Sequence, residues 1–433
     1  MEAAPDAARV SFRATLREPN FSRLLAGQVI AAFGDRINQT ALLSIIVYQL
    51  GNTSKYSADI IFWGAVPRVA LGVFAAALID RFERKKILIA SDLSRAFLAL
   101  LLPLLWFGIH HHYVIYAVTF FMGMFSALFA PARLAIMPNL VPSKTLLPAN
   151  AISSQAGTVA SLAAMPIAGW IVENLGISSS FVINSLTYMA SATLIWKLRP
   201  RPLSEEVALR AGVHPLEDFK AGLVYIFKDP FVLFFVVFSA MIQMVGGVFF
   251  VCFLTYAIEI LGQTVGGANL LFGTVGLGMG LGAVWLIYFS KWGEWFLWPT
   301  LLAAVSGLGP ICLSMIYTPW LAAAFLLLTG FAGVMASVPV DTFLQKHVSD
   351  AFRGRVFVAQ GVLAGSGFLV SLQFSKAFIY HFGALDALKW LGIVMTLFGV
   401  LATLFAYGLH RWISSRRSLS IPLFPSRSSL VKL

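Results

Sequence analysis

The sequence predicts an all-α membrane protein of twelve transmembrane helices, arranged as two six-helix bundles. Three observations carry that prediction. Of 433 residues, 59% are hydrophobic and only 12% are charged, about half the charge of an ordinary soluble domain. Hydropathy read in windows of about 20 residues gives twelve apolar stretches. Most of the 31 Lys and Arg residues fall in alternate loops, which places both termini in the cytoplasm. The formal net charge of +12 is therefore a topology signal, with a role toward lipid head groups, and a nucleic-acid partner is excluded.

Residues 1–20 form a polar, mildly basic cytoplasmic tail with no cleavable leader before the first apolar stretch. An N-terminal bundle is expected over 21–196, with spans near 22–48, 57–79, 87–108, 114–138, 152–172 and 180–196. Residues 197–230 are the longest polar interval and separate the halves. Within it, Leu216, Phe219, Leu223 and Phe227 recur at helical spacing, predicting an amphipathic helix on the cytoplasmic surface that tethers the bundles. A C-terminal bundle follows over 231–410, with spans near 231–258, 268–289, 296–316, 320–341, 356–380 and 384–410. Residues 411–433 read as a basic cytoplasmic tail. Cys252 and Cys312 both fall inside spans, so no disulfide framework is implied. A weak internal repeat sets "PARLAIMPNLVPSKTLLPANA" (131–151) over "PVDTFLQKHVSDAFRGRVFVA" (339–359), each closing an even-numbered span, as in a duplicated transporter.

Charge inside the spans marks the candidate chemistry. If the first span enters near Leu24, about eleven residues at about 1.5 Å each put Asp35 roughly 16 Å deep, near the middle of a ~30 Å hydrocarbon layer. A carboxylate there costs several kcal/mol against lipid, so it is expected to line a polar cavity. Asn38, Gln39 and Gln28 are expected on the same face, at three, four and seven residues from it. Arg36 splays about 100° away and takes a different neighbour. An acid at that depth can exchange protons as access switches sides, with substrate competing for the charged form. A fixed ion pair with Arg36 or Arg68 is the bland alternative.

Asp92 and Arg95 share a face of the third span at i, i+3 and read as a shallower pair. Arg133 and Asp341 occupy matching places in the repeat with opposite charge. They are expected either to snorkel to the interface or to bridge the halves when the cytoplasmic side is closed. The second half offers Gln243 and Met244, with Phe249 and Phe250, around Gly246 and Gly247, a surface suited to apolar substrates. In the eighth span Gly276 and Gly280, then Gly278 and Gly282, stand four residues apart, a spacing that allows close helix approach. His110, His111 and His112 lack partner ligands at useful spacing, so no metal site is expected.

Several segments resemble a known family. "EPNFSRLLAGQVIAAFGDRINQTAL", "LIDRFERKKIL" and "FAPARLAIMPNLVPSKTLLPANAI" resemble the major facilitator superfamily. "FVINSLTYMAS" and "EDFKAGLVYIFKDP" resemble its drug:proton antiporter branch, with macrolide-efflux and enterobactin-exporter-like proteins. The resemblance implies the major facilitator fold of two pseudo-symmetric bundles. It also implies a loop signature, which Asp80, Arg81, Arg84, Lys85 and Lys86 fit while Ala76 and Glu83 replace its glycines. Those basic residues serve either gating or topology. The fifth span keeps Pro166 and Gly169 of the antiporter signature, and the fourth lacks a mid-span arginine.

The expected function is proton-coupled export of amphipathic small molecules by alternating access. Export of a siderophore and flipping of a lysophospholipid are the alternatives, the latter because "FGD" and "PAR" also resemble lysophospholipid transporters. No phosphate-binding G-x-x-x-x-G-K-S/T occurs, nor H-E-x-x-H or G-x-S-x-G, so an ATP drive and a membrane enzyme are disfavoured, and the mid-depth Asp35 argues against a sensor of transporter ancestry. No cofactor is expected beyond the proton gradient. The expected partners are membrane lipids and an amphipathic or lipid-like substrate, with the chain a monomer in the cell inner membrane.

Overall fold

The computed structural model describes residues 14–51, 53–72, 74, 79, 82–109, 111–142, 145–200, 215–288 and 297–416. Among these there is no strand. The helices are α1 (Pro19–Ile45), α2 (Thr53–Leu71), α3 (Arg84–Ile109), α4 (His112–Leu140), α5 (Leu146–Leu175), α6 (Ile177–Trp196), α7 (Pro215–Lys228), α8 (Pro230–Thr255), α9 (Val265–Tyr288), α10 (Trp298–Ser306), α11 (Leu308–Leu313), α12 (Pro319–His347) and α13 (Asp350–Arg416).

Helix α13 bends back at Gly383 and supplies two passes, while α10 and α11 together supply one. With α7 set aside as too short, the helices give the twelve passes expected. Among the described residues, seven segments are long and apolar enough to cross a membrane by length and composition alone, including the bent Phe352–Gly408.

Contacts divide the chain into two compact units, Met1–Gly51 with Asp59–Asp218, and Asn52–Ala58 with Phe219–Leu433. In the first unit α1 packs on α5 and α6, and α3 on α4 and α6, around a core that includes Phe21, Leu24, Leu88, Phe129 and Met137. In the second, α8 packs on α13 and α9 on α12, around Phe231, Phe235, Phe238, Leu344 and Val356.

The two units repeat the same local devices. Helices α1 and α8 each widen into a five-residue π turn, Ile46–Leu50 and Tyr256–Ile260, and Gly51 and Gly262 follow with φ of 68° and 62°. The α5–α6 junction is Gly176 (φ 85°, ψ 166°) and the bend in α13 is Gly383 (φ 74°, ψ 169°). That backbone region is open essentially to glycine alone. A side chain on Gly123 of α4 would run into the carbonyl of Gly64 in α2, and one on Gly330 of α12 into the carbonyl of Val275 in α9. Matched turns and matched helix crossings make the pseudo-symmetry physical.

Two features differ from the sequence reading. The ninth span is broken at Gly307, where α10–α11 cross α13 so closely that a Cβ would lie 2.6 Å from the carbonyl oxygen of Gly392. The linker helix α7 forms where its periodicity put it, but its buried side is Phe219, Leu223 and the fully buried Ile226. Leu216 and Phe227 are exposed, because Gly222 seats the helix against the backbone of Arg355. Apolar spacing fixed the helix, and that close approach fixed its rotation.

Candidate functional site

Helix α1 carries Asp35 and sets it between α3 and α6. The hydroxyl of Tyr188 on α6 donates to Asp35 Oδ1, and Arg95 Nη1 on α3 lies 3.9 Å from Asp35 Oδ2. Arg95 also pairs with Asp92, one turn earlier on α3. The guanidinium is flanked by two rings, with Tyr188 at 4.4 Å and Phe129 at 4.9 Å from their centroids, a cation–π clamp. The burial is graded. The side chain of Asp92 is 0% exposed, that of Arg95 5% and that of Asp35 51%. Asp35 is thus the accessible end of a buried charge network. Arg36 and Arg68 also act on it electrostatically.

The polar stripe expected along the first span divides in three. Asn38 turns into the protein, 8% exposed, with Oδ1 unpartnered. Gln39 accepts from Arg36 Nη1 at 2.6 Å, while Arg36 Nε is buried without a partner. Gln28 belongs to another cluster: Ser153 Oγ donates to its Oε1 at 2.7 Å, Arg133 Nη1 to the same oxygen at 3.1 Å, and Arg133 also reaches Ser153. Seven residues along a helix share a face in projection, but here different neighbours claim each end. Asp92 and Arg95 do pair, and the structure corrects their separation from Asp35, since the pair is the buried core of the same network.

Loop residues Asp80 and Arg81 lie outside the described residues. Lys85 Nζ donates to the carbonyl of Leu198 at 2.8 Å, Arg23 Nη1 to that of Lys197 at 3.2 Å and Asn20 Nδ2 to that of Arg199 at 2.9 Å. These side chains satisfy carbonyls just past the C-terminus of α6, where positive charge is favoured. Lys86 pairs with Glu83 at 3.0 Å on the surface. Arg84 and Lys85 line a cavity of about 210 Å³ with Asn139. Arg84, Lys85 and Lys86 open α3, and Lys85 is tied to the end of α6.

The second unit has a polar cavity of about 330 Å³ between α8, α12 and the first arm of α13, lined among others by Ser239, Gln243, Ser337, Asp341 and Gln360. Gln360 Nε2 donates to Asp341 Oδ1 at 3.2 Å and to Ser239 Oγ at 3.1 Å. Gln243 lines this cavity, whereas Met244 packs on Gly367. A smaller apolar cavity of about 140 Å³ is lined by Gly246, Phe249, Met395 and Phe398, and Phe250 packs edge-on against Phe272. No group of three or more metal-ligating side chains occurs among the described residues.

Three partners escaped the sequence reading: Tyr188, Ser153 and Gln360. Asn184, Tyr188 and Ser191, all buried on α6, recur at helical spacing, and that polar face was the available signal. The Arg133–Gln28–Ser153 cluster joins α4, α1 and α5, and the Asp341–Ser239–Gln360 cluster joins the corresponding helices of the second unit. The sign of the charge is reversed between them.

The family model described as Major Facilitator Superfamily matches residues 24–372. The chain is similar to an uncharacterized MFS-type transporter of Mycobacterium tuberculosis, 25% identical over 403 residues, covering 88% of this chain and 90% of the relative. It is also similar to a Bacillus subtilis protein named "Putative bacilysin exporter BacE", 26% identical over 348 residues, 78% of this chain and 84% of that one. Among solved structures, the fold matches a bacterial homolog of the human lysosomal transporter Spinster, in an inward-facing and unoccupied conformation. That match has a TM-score of 0.71 and 16% identity, over 94% of this chain and 100% of that one. The nucleoside transporter NupG matches with a TM-score of 0.70 and 12% identity, over 90% and 99%.

Proposed function

The chain belongs to the Major Facilitator Superfamily, and from that premise we propose that it is a proton-coupled exporter of amphipathic small molecules working by alternating access. A proton-coupled transporter needs a coupling group that a proton can reach and that the helices respond to. The observation that carries the proposal is the half-exposed Asp35 at the end of the buried Tyr188–Arg95–Asp92 network. Ionised, Asp35 accepts from Tyr188 and attracts Arg95, tying α1 to α6 and α3. Protonated, it loses the charge that holds Arg95, which keeps Asp92, and α1 is freed locally. The bound proton thereby changes an interhelical contact, which is what coupling requires. Export, rather than uptake, is supported by the name of the Bacillus relative. In the same reading both termini lie in the cytoplasm of a cell-membrane protein.

A second reading has its own observation. Arg36, Arg68 and Arg95 all act on Asp35, and Arg36 Nε is a buried donor without a partner. Three guanidiniums favour a phosphate-bearing amphiphile, such as a lysophospholipid.

The test is reconstitution into liposomes with an imposed pH gradient, comparing wild type with Asp35→Asn for efflux of a cationic dye and for flipping of a labelled lysophospholipid. Gradient-driven dye efflux in wild type that falls to the level of protein-free liposomes in the variant supports proton coupling at Asp35. Unchanged efflux in the variant removes Asp35 from that role, and lipid flipping without dye efflux replaces the first reading with the second.

A further inference from the structure

We propose that the apolar cavity of the second unit is a binding site for one small uncharged molecule about the size of a benzene ring, seated against the break in the ninth span. The inference needs only the fold of that unit and goes beyond the transport reading.

The cavity, of about 140 Å³, is walled by α8, by α10 and α11, by α12 and by the arm of α13 that follows Gly383. The arm before Gly383 walls the polar cavity instead. Ser306 and Pro310 stand on either side of Gly307, where the ninth span breaks, and both line the apolar cavity. No charged side chain is among the described residues that line it. The hydroxyl of Ser306 donates to the carbonyl of Ala303 at 2.8 Å, and that of Thr329 to the carbonyl of Phe325 at 2.8 Å. Both donors are thus spent within their own helices, and a charged occupant would find no counterpart. An apolar void of about 150 Å³ stays dry and takes benzene or xenon, and this cavity is close to that size. Phe249, Met395 and Phe398 offer an uncharged ring two aromatic surfaces and one adaptable one.

Two glycines hold the space open. Gly246 of α8 and Gly333 of α12 line the cavity, and a Cβ on either meets nothing within 4 Å. Nearby, Gly247 is held to glycine by its approach to Ser371 and Phe368, and Gly330 by its approach to the carbonyl of Val275. Gly246 and Gly333 answer to no such crossing, and neither has a left-handed backbone. Alanine fits at both places and favours the helix. Turn and crossing therefore leave these two glycines unexplained, and room for an occupant explains them.

The experiment uses the purified full-length chain in lipid nanodiscs and halothane, an uncharged probe of similar size that attaches to neighbouring side chains under ultraviolet light. Adducts are located by mass spectrometry. Those on Phe249, Met395 and Phe398 are expected to saturate with halothane concentration, and to fall about tenfold under a tenfold-saturating concentration of benzene. Adducts on the exposed Trp320 are expected to rise without saturating. Two variants fill the space: Gly333→Met, and Gly246→Ala combined with Gly333→Ala. Both are expected to lose the saturable adducts and to keep those on Trp320. The double alanine variant is expected to unfold at a temperature no lower than wild type, which shows that it is folded. Cavity adducts that never saturate, or that survive both fillings, overturn the proposal. So does saturable labelling in detergent micelles that disappears in nanodiscs, since that assigns the cavity to a lipid acyl chain. Binding is read without a gradient or a transported dye, so its failure leaves proton coupling at Asp35 standing, and failed coupling leaves the binding result standing.

Discussion

Breaking the Asp92–Arg95 pair on one side is expected to cost far more than removing it whole. Asp92 is fully buried, and Arg95 is buried between the rings of Tyr188 and Phe129. Asp92→Ala leaves a guanidinium in a dry site whose nearest remaining acid is Asp35, 3.9 Å away. Stranding one partner of a buried pair costs about 3–5 kcal/mol. Arg95→Met strands Asp92 and forfeits the ring contacts, so its cost is at least as large. The double change Asp92→Leu with Arg95→Met replaces the pair by apolar groups, an exchange often neutral or stabilising. Against that stands the lost cation–π clamp, about 2 kcal/mol when desolvated. The double variant is therefore expected to lie within about 2 kcal/mol of wild type, below either single variant. Asp35, half-exposed, finds other partners. The assay is unfolding of the purified chain in mixed micelles by added dodecyl sulfate, followed by tryptophan fluorescence. Additive single costs, or an Asp92→Ala loss under about 1 kcal/mol, refute the claim that this network is a dry, coupled unit.

Two further outcomes follow from other contacts. A methyl at Gly278 meets the backbone carbonyl of Leu327, while one at Gly280 meets nothing within 4 Å. Gly278→Ala is therefore expected to cost about 1–3 kcal/mol and Gly280→Ala to be neutral or stabilising by up to about 1 kcal/mol, read as thermal midpoints of the purified chain. At the start of α8, Asp229 accepts from His347 Nε2 at 3.2 Å and from the amides of Phe231 and Val232. The His347 hydrogen bond first, then its charge and the two amides, hold the Asp229 carboxyl below the usual range, against its partial burial. A lowered folded value contributes stability that is present above the unfolded carboxylate value of about 4 and lost as pH falls through the folded value. The stability advantage of wild type over Asp229→Asn, which keeps the cap, is expected to be present at pH 6 to 7 and to vanish on acidification below about pH 4. An advantage unchanged down to that acidity refutes the charge assignment.

The passes were legible because lipid imposes a simple demand, about 20 apolar residues per crossing, that shows in any sequence meeting it. The break at Gly307 was not, because it arises where α10–α11 meet α13 at Gly392, far along the chain. The same division runs through the site. Asp35, Asp92, Arg95, Arg133 and Asp341 stand out as charges in apolar surroundings. Tyr188 lies 153 residues from the carboxylate it serves, and Gln360 shares its neutral polarity with many residues that merely pack. Helical spacing joined Gln28 to Asp35, and packing separated them, because a long helix shows successive turns to different neighbours. It also parted Asp92 and Arg95 from Asp35, since spacing sees only one helix at a time.

The two units argue for where the chemistry resides. Gly176 and Gly383 make the same turn, and Gly123 and Gly330 the same crossing, so duplication preserved what the backbone needs. The polar clusters sit on corresponding helices, yet their contents diverged. In the first unit Arg133 is answered by Gln28 Oε1 and Ser153 Oγ, a donor facing two acceptors, and that cluster is satisfied within itself. In the second, Asp341 receives one amide hydrogen from Gln360, whose own oxygen goes without. What diverged between the units is polar content: the first sets the half-exposed Asp35 against the buried Arg95 and Asp92, and the second sets Asp341 against a neutral amide.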